Sequence, residues 1–65
     1  MEKISLAAAR VNAGYTQKSA AKELGVSNKT LCSWENGKTF PTQPMIEKIC
    51  ALYRRPYDYI KFRAN

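Results

Sequence analysis

Three glycines at near-even spacing, Gly14, Gly25 and Gly37, constrain this 65-residue chain more than any other feature. Each follows a short run of helix-forming residues, and Pro41, Pro44 and Pro56 add breaks further on. No stretch of five or more residues alternates with the β-branched enrichment of a strand. A chain cut this way predicts an all-α, compact five-helix fold in a single domain over residues 1–65. Below roughly 70–80 residues one core supplies only a few kcal/mol, so the helices must be short and economically packed.

The first helix is expected from about Ser5 to Ala13, with Ile4, Ala7, Ala8 and Val11 on one face. Thr16 reads as the N-cap of a second helix, Gln17 to Leu24, whose inner face is Ala20, Ala21 and Leu24. Ser27 caps a third, Asn28 to Glu35, closed by Asn36-Gly37. Thr42 is expected to cap a fourth, with Pro44 in its first turn and Ile46, Ile49, Cys50 and Tyr53 on its core face. Pro56 ends it and begins a short fifth helix reaching about Phe62, with Arg63 to Asn65 fraying.

Composition narrows the chemistry. Eleven Lys and Arg against five Asp and Glu leave a net charge of +6, with an isoelectric point near 9.6. So strong an excess on so small a domain suits a nucleic-acid partner. Histidine is absent, which removes the commonest general base and metal ligand. No nucleophile–base pair or phosphate-binding glycine loop is visible, so the chain is not read as an enzyme. Cys32 and Cys50 are too few for a disulfide scaffold and lack metal-ligand spacing, so no metal or cofactor is expected. No apolar run approaches the ~20 residues of a membrane span, and no secretory leader is evident. The expectation is a cytoplasmic protein with reduced thiols and no small-molecule substrate.

The segment from about residue 17 to residue 36 carries the function. Two helices joined by a tight turn with a glycine match the helix-turn-helix template. Leu31 and Trp34, three apart, must face inward, which turns Lys29 and Ser33 outward with Cys32 and Asn36 beside them. A ridge one helix wide fits a DNA major groove about 12 Å across. Lys29 can donate to guanine O6 or N7, and Asn28 can pair with adenine N6 and N7. Ser33 is compatible with several bases.

These residues resemble the phage-repressor and Cro-like (XRE-type) helix-turn-helix family, with its λ-repressor-like fold. The resemblance rests on Thr16-Gln17, Ala21, Gly25-Val26-Ser27, Leu31, Trp34-Glu35-Asn36-Gly37-Lys38 and Pro41, and covers roughly Ile4 to Phe62. It implies that Asn28, Lys29 and Ser33 read bases of double-stranded DNA. It implies backbone or flanking contacts for Thr16, Gln17, Ser27, Thr30, Asn36, Lys38, Thr39 and Phe40, with Gln17 bridging a phosphate and the reading helix. It further implies a structural pair between Arg10 and Glu35. The function expected is transcriptional regulation of bacterial or phage origin, a repressor of prophage or mobile-element type. No room is expected for a ligand-sensing second domain.

Plainer readings stand beside several of these. Lys29 and Ser33 could be an ordinary solvated face, and Cys32 a bystander or a redox switch beside DNA. Arg54, Arg55, Lys61 and Arg63 form a basic cluster that touches DNA flanks or only solvent. Tyr57, Tyr59, Ile60 and Phe62 exceed what one side of a short helix buries, so they either close the core or build a homodimer surface. A rival class is an antitoxin-like protein-interaction module with weak DNA binding.

Overall fold

The computed structural model describes residues 3–62. Four α-helices run in chain order: α1 Leu6–Asn12, α2 Gln17–Leu24, α3 Asn28–Glu35 and α4 Gln43–Tyr53. Helices α2 and α3 begin and end where the capping residues and inner faces place them. Ser5, Thr16 and Ser27 each accept a hydrogen bond from the third backbone N–H of their helix, at 3.0 Å. At Thr16 the cap is reciprocal, because its own N–H donates to the Ser19 hydroxyl. Thr42 occupies the N-cap of α4 with Pro44 in the first turn, but its hydroxyl makes no cap bond.

All four helices end alike. A backbone N–H reaches back five residues: Tyr15 to Arg10, Val26 to Ala21, Lys38 to Ser33 and Arg55 to Cys50, all at 3.0–3.1 Å. This closure needs one left-handed residue just before the donor. Gly14, Gly25 and Gly37 supply it after the first three helices, with φ of +88°, +76° and +76°. After α4 the left-handed residue is Arg54, φ +58°. Pro56 lies beyond the end of α4 and does not terminate it.

The expected fifth helix is absent. Tyr57–Tyr59 form one 3-10 turn, and Ile60–Lys61 then extend as β2. β2 pairs in parallel with β1, Ile4–Ser5, with Ile4 opposite Ile60 and Ser5 opposite Lys61. The fold is therefore four helices with a two-residue parallel clasp joining the two ends of the described segment. Two-residue strands leave no alternation to detect, and their pairing spans the whole domain. The residues from 63 onward, Arg63 included, lie outside the described residues.

One core unites the elements. It holds Leu6, Ala9, Ala20, Ala21, Leu24, Leu31, Trp34, Ile49, Tyr53 and Ile60, each at most 8% exposed. The buried face of α1 is Leu6 and Ala9, not the expected stripe: Val11 is 61% exposed. Ile4 belongs to β1 rather than to the helix, and the inner line runs Leu6, Ala9, Arg10 and Ala13. Ala20 and Ala21 let α2 and α3 approach closely, the closest pairing of elements in the fold. Among the described residues no helix is long and apolar enough to cross a membrane.

Candidate nucleic-acid interface

Burying Leu31 and Trp34 fixes the rotation of α3. Asn28 and Lys29 then stand exposed on its first turn, and Ser33 lies half-buried one turn further on. Lys29 and Ser33 are four residues apart and share a line along the helix. Asn28, Cys32 and Asn36 form the parallel line, and the Asn36 amide donates to Cys32 Sγ at 3.3 Å. The two lines make an outward polar strip with one cation and no carboxylate.

The ends of this strip are held differently. At its start, the Ser27 hydroxyl accepts from the Thr30 N–H and donates to Thr30 Oγ1 at 2.9 Å. That hydroxyl is thereby engaged in capping. At its end, Glu35 accepts two tertiary bonds. Arg10 Nε donates to Oε2 at 2.8 Å, and Gln17 Nε2 donates to Oε1 at 3.0 Å. Arg10 Nη1 also donates to the Tyr15 carbonyl at 3.0 Å. The side chains of Arg10 and Glu35 are only 14% and 7% exposed, so the pair is shielded from solvent.

This network gives the pairing of Arg10 with Glu35 a geometric purpose. It joins α1, the start of α2 and the end of α3 through one carboxylate. Gln17 is tied to α3 through Glu35, and its placement at the first turn of α2 puts it beside exposed Thr16. The chain then leaves α3 through Asn36 and Gly37, and exposed Lys38, Thr39 and Phe40 continue the same edge. Buried Pro41 anchors that loop.

Two positioning contacts have no local sequence signal. Lys48 of α4 donates from Nζ to the Leu24 carbonyl at 3.1 Å, at the end of α2 and beside the Gly25 turn. A cation there complements the helix C-terminus. Its partner lies 24 residues away, so no local pattern announces it. The buried Tyr53 hydroxyl has no hydrogen-bond partner. Burial, with the Glu35 charge adding to it, pushes the Tyr53 phenol up to about 12.

The aromatic tail separates into inward and outward members. Ile60 is 1% exposed and belongs to the core, so it is not available to a dimer surface. Tyr57 is 54% exposed and stacks on Phe62 with ring centroids 5.6 Å apart. Tyr59 lies under the Arg55 guanidinium at 5.6 Å. Phe40, Tyr57 and Phe62 line one groove, so the loop after α3 and the tail meet.

Two helices joined by a glycine turn and braced by two further helices define a helix-turn-helix domain. The helix-turn-helix family model matches residues 6–60, and the chain belongs to that family, in its phage-repressor and Cro-like (XRE-type) branch. The chain is also similar to the HTH-type transcriptional regulator ImmR of Bacillus subtilis (strain 168), with 38% identity over 52 residues. That alignment covers 80% of this chain but 41% of the regulator, so the chain spans less than half the length of its curated relative. No solved structure matches.

Proposed function

We propose that this protein binds double-stranded DNA sequence-specifically and regulates transcription, as a repressor of prophage or mobile-element type acting in the cytoplasm. The observation that carries the reading is the outward strip of α3, held at its far end by the Arg10–Glu35–Gln17 network. A solvated face needs no such bracing, whereas a reading helix must be held rigidly against its neighbours. Asn28, Lys29 and Ser33 are assigned to bases. Thr16, Gln17, Asn36, Lys38, Thr39 and Phe40 are assigned to the phosphate strand, where contacts fix position and most of the salt dependence. Thr30, half-buried and engaged with Ser27, is assigned to the flank. Similarity to a transcriptional regulator supports the regulatory role.

Selection of binding sites from a random duplex library at near-physiological salt tests this reading. Enrichment of a defined motif is expected, and retention that vanishes with salt without enrichment would refute it. On the selected site, Lys29→Ala should change base preference. Lys38→Ala should weaken all sequences alike and reduce the salt slope by about one. Uniform loss in both variants would overturn the division between base-reading and phosphate-holding residues.

A further inference from the structure

Among the described residues three large apolar side chains stand exposed, and two of them, Phe40 and Tyr57, line a single groove of about 350 Å³. Half-buried Ile46 and Phe62 add to its apolar wall, and buried Pro41 and Ile60 lie beneath it. Four separate stretches of chain build it: Lys3 before β1, the loop after α3, the first turns of α4 and the tail. The β1–β2 clasp and the Tyr57–Phe62 stack hold the tail side in place. The remaining lining residues are Lys3 and Lys61, and among the described residues no carboxylate lines the groove.

We propose that this groove binds a short acidic segment of another protein, one large apolar side chain entering the groove with carboxylates on Lys3 and Lys61. Size favours a short segment: the volume lies at the low end of the ~300–1,000 Å³ range of ligand pockets. A stable self-association buries about 800 Å² on each partner. That is nearly a fifth of this chain's 4422 Å² surface, well beyond one such groove. Charge favours an acidic occupant over a second copy, because two-fold pairing here sets Lys3 and Lys61 against their own counterparts, with no lining carboxylate among the described residues between them.

The groove has a regulatory consequence that rests on the DNA-binding reading. Phe40 lines the groove and also ends the loop assigned to the phosphate strand. An occupant placing carboxylates beside that loop repels phosphate, so the acidic segment and DNA exclude one another.

The test has two arms. A displayed library of random dodecapeptides is selected on the full chain without DNA, which examines the groove independently of any DNA reading. Enrichment of peptides pairing Asp or Glu with Phe, Leu or Trp is expected. The Lys3→Glu/Lys61→Glu variant, checked for native circular dichroism, should bind the winning peptide at least tenfold more weakly. Tyr57→Ser should weaken it about fivefold. No enrichment, or binding indifferent to both variants, overturns the proposal. So does sedimentation showing a concentrated dimer that Tyr57→Ser dissolves, which assigns the groove to a second copy. In the second arm the winning peptide competes with a selected duplex. Mutual displacement is expected, and simultaneous binding overturns the exclusion while leaving the peptide site and the DNA reading intact.

Discussion

The reading unit and the tail are built on opposite plans. Between Gln17 and Glu35, polar side chains turn inward to one another and the outward strip stays polar. Glu35 joins three elements at the far end of α3, and Lys48 closes the end of α2. Between Arg54 and Phe62 no side chain makes a tertiary hydrogen bond to another of the described residues, and Ile60, the β1–β2 clasp and stacked rings hold the segment. Directional bonds fix angle, and apolar contacts fix only proximity. The base-reading role proposed for α3 needs the first, while the apolar anchor proposed for the groove needs only the second.

Deleting one buried apolar residue from each region tests whether both belong to one cooperative unit. Leu31 is 0% exposed and Ile60 1%. Leu31→Ala and Ile60→Ala should each cost about 3 kcal/mol in urea unfolding, by lost transfer energy and the cavity left behind. A loss below about 1 kcal/mol for Ile60→Ala, with an unchanged denaturant slope, would mean that the tail frays independently of the reading unit.

The polar plan is tested at Glu35. Glu35→Ala leaves the Arg10 guanidinium shielded and without its carboxylate, although the Tyr15 carbonyl still accepts one bond. The expected loss is about 2 kcal/mol, below the ~3–5 kcal/mol of a fully broken buried pair. Affinity for a selected duplex should fall further than Ile60→Ala lowers it at matched fraction folded. Equal effects on binding would remove the distinction between angle-fixing and proximity-fixing contacts.

The helix ends sharpen the same contrast. Gly25 turns the chain within the reading unit, whereas Arg54 adopts the same left-handed conformation at the entry to the tail. A side chain in that conformation costs about 1 kcal/mol. Gly25→Ala should therefore destabilise by about 1 kcal/mol. Arg54→Gly should stabilise by roughly half that, since glycine also gains freedom in the unfolded chain. Thermal melts of both variants measure the two signs, and destabilisation by Arg54→Gly would show that the arginine side chain does more than tolerate its backbone.

How much of this was legible in the sequence follows from how local each determinant is. The bounds of α2 and α3 lie in Thr16, Ser27 and the glycines after each helix, all within one turn of what they control. The rotation of α3 follows from Leu31 and Trp34 alone, and with it the outward strip. The partnership of Arg10 with Glu35 came from family resemblance, since residues 25 apart carry no periodic signal. The tail departs from the expected helix because its helical signal is local and its actual structure is not. Ile60 is extended because Ile4 lies opposite it, more than fifty residues earlier. The inner face of α1 differs from the expected stripe for a related reason: Ile4 belongs to the clasp and not to the helix. Phe40 was legible as a loop residue, but its meeting with Tyr57 and Phe62 depends on that clasp.

Tyr53 is where the two plans meet, and it gives the smallest effect at neutral pH. Its ring closes the core between α1 and α4, and its hydroxyl is buried without a partner near the Glu35 network. Tyr53→Phe removes an unsatisfied group and should leave stability at pH 7 unchanged or raised by at most about 1 kcal/mol. The alkaline response separates the variants. The folded phenol titrates at about 12, above the ordinary value of 10. The folded state therefore holds this proton more tightly than the unfolded chain does. The stability it contributes is complete below pH 10 and is lost as pH rises through 12. Subtracting urea-unfolding free energies of Tyr53→Phe from those of the wild type across pH 9–12 isolates this group from the other tyrosines and lysines. A difference that falls through that window is expected. A flat difference would mean that the hydroxyl reaches solvent, and that the core and the polar network are not sealed from one another at this residue.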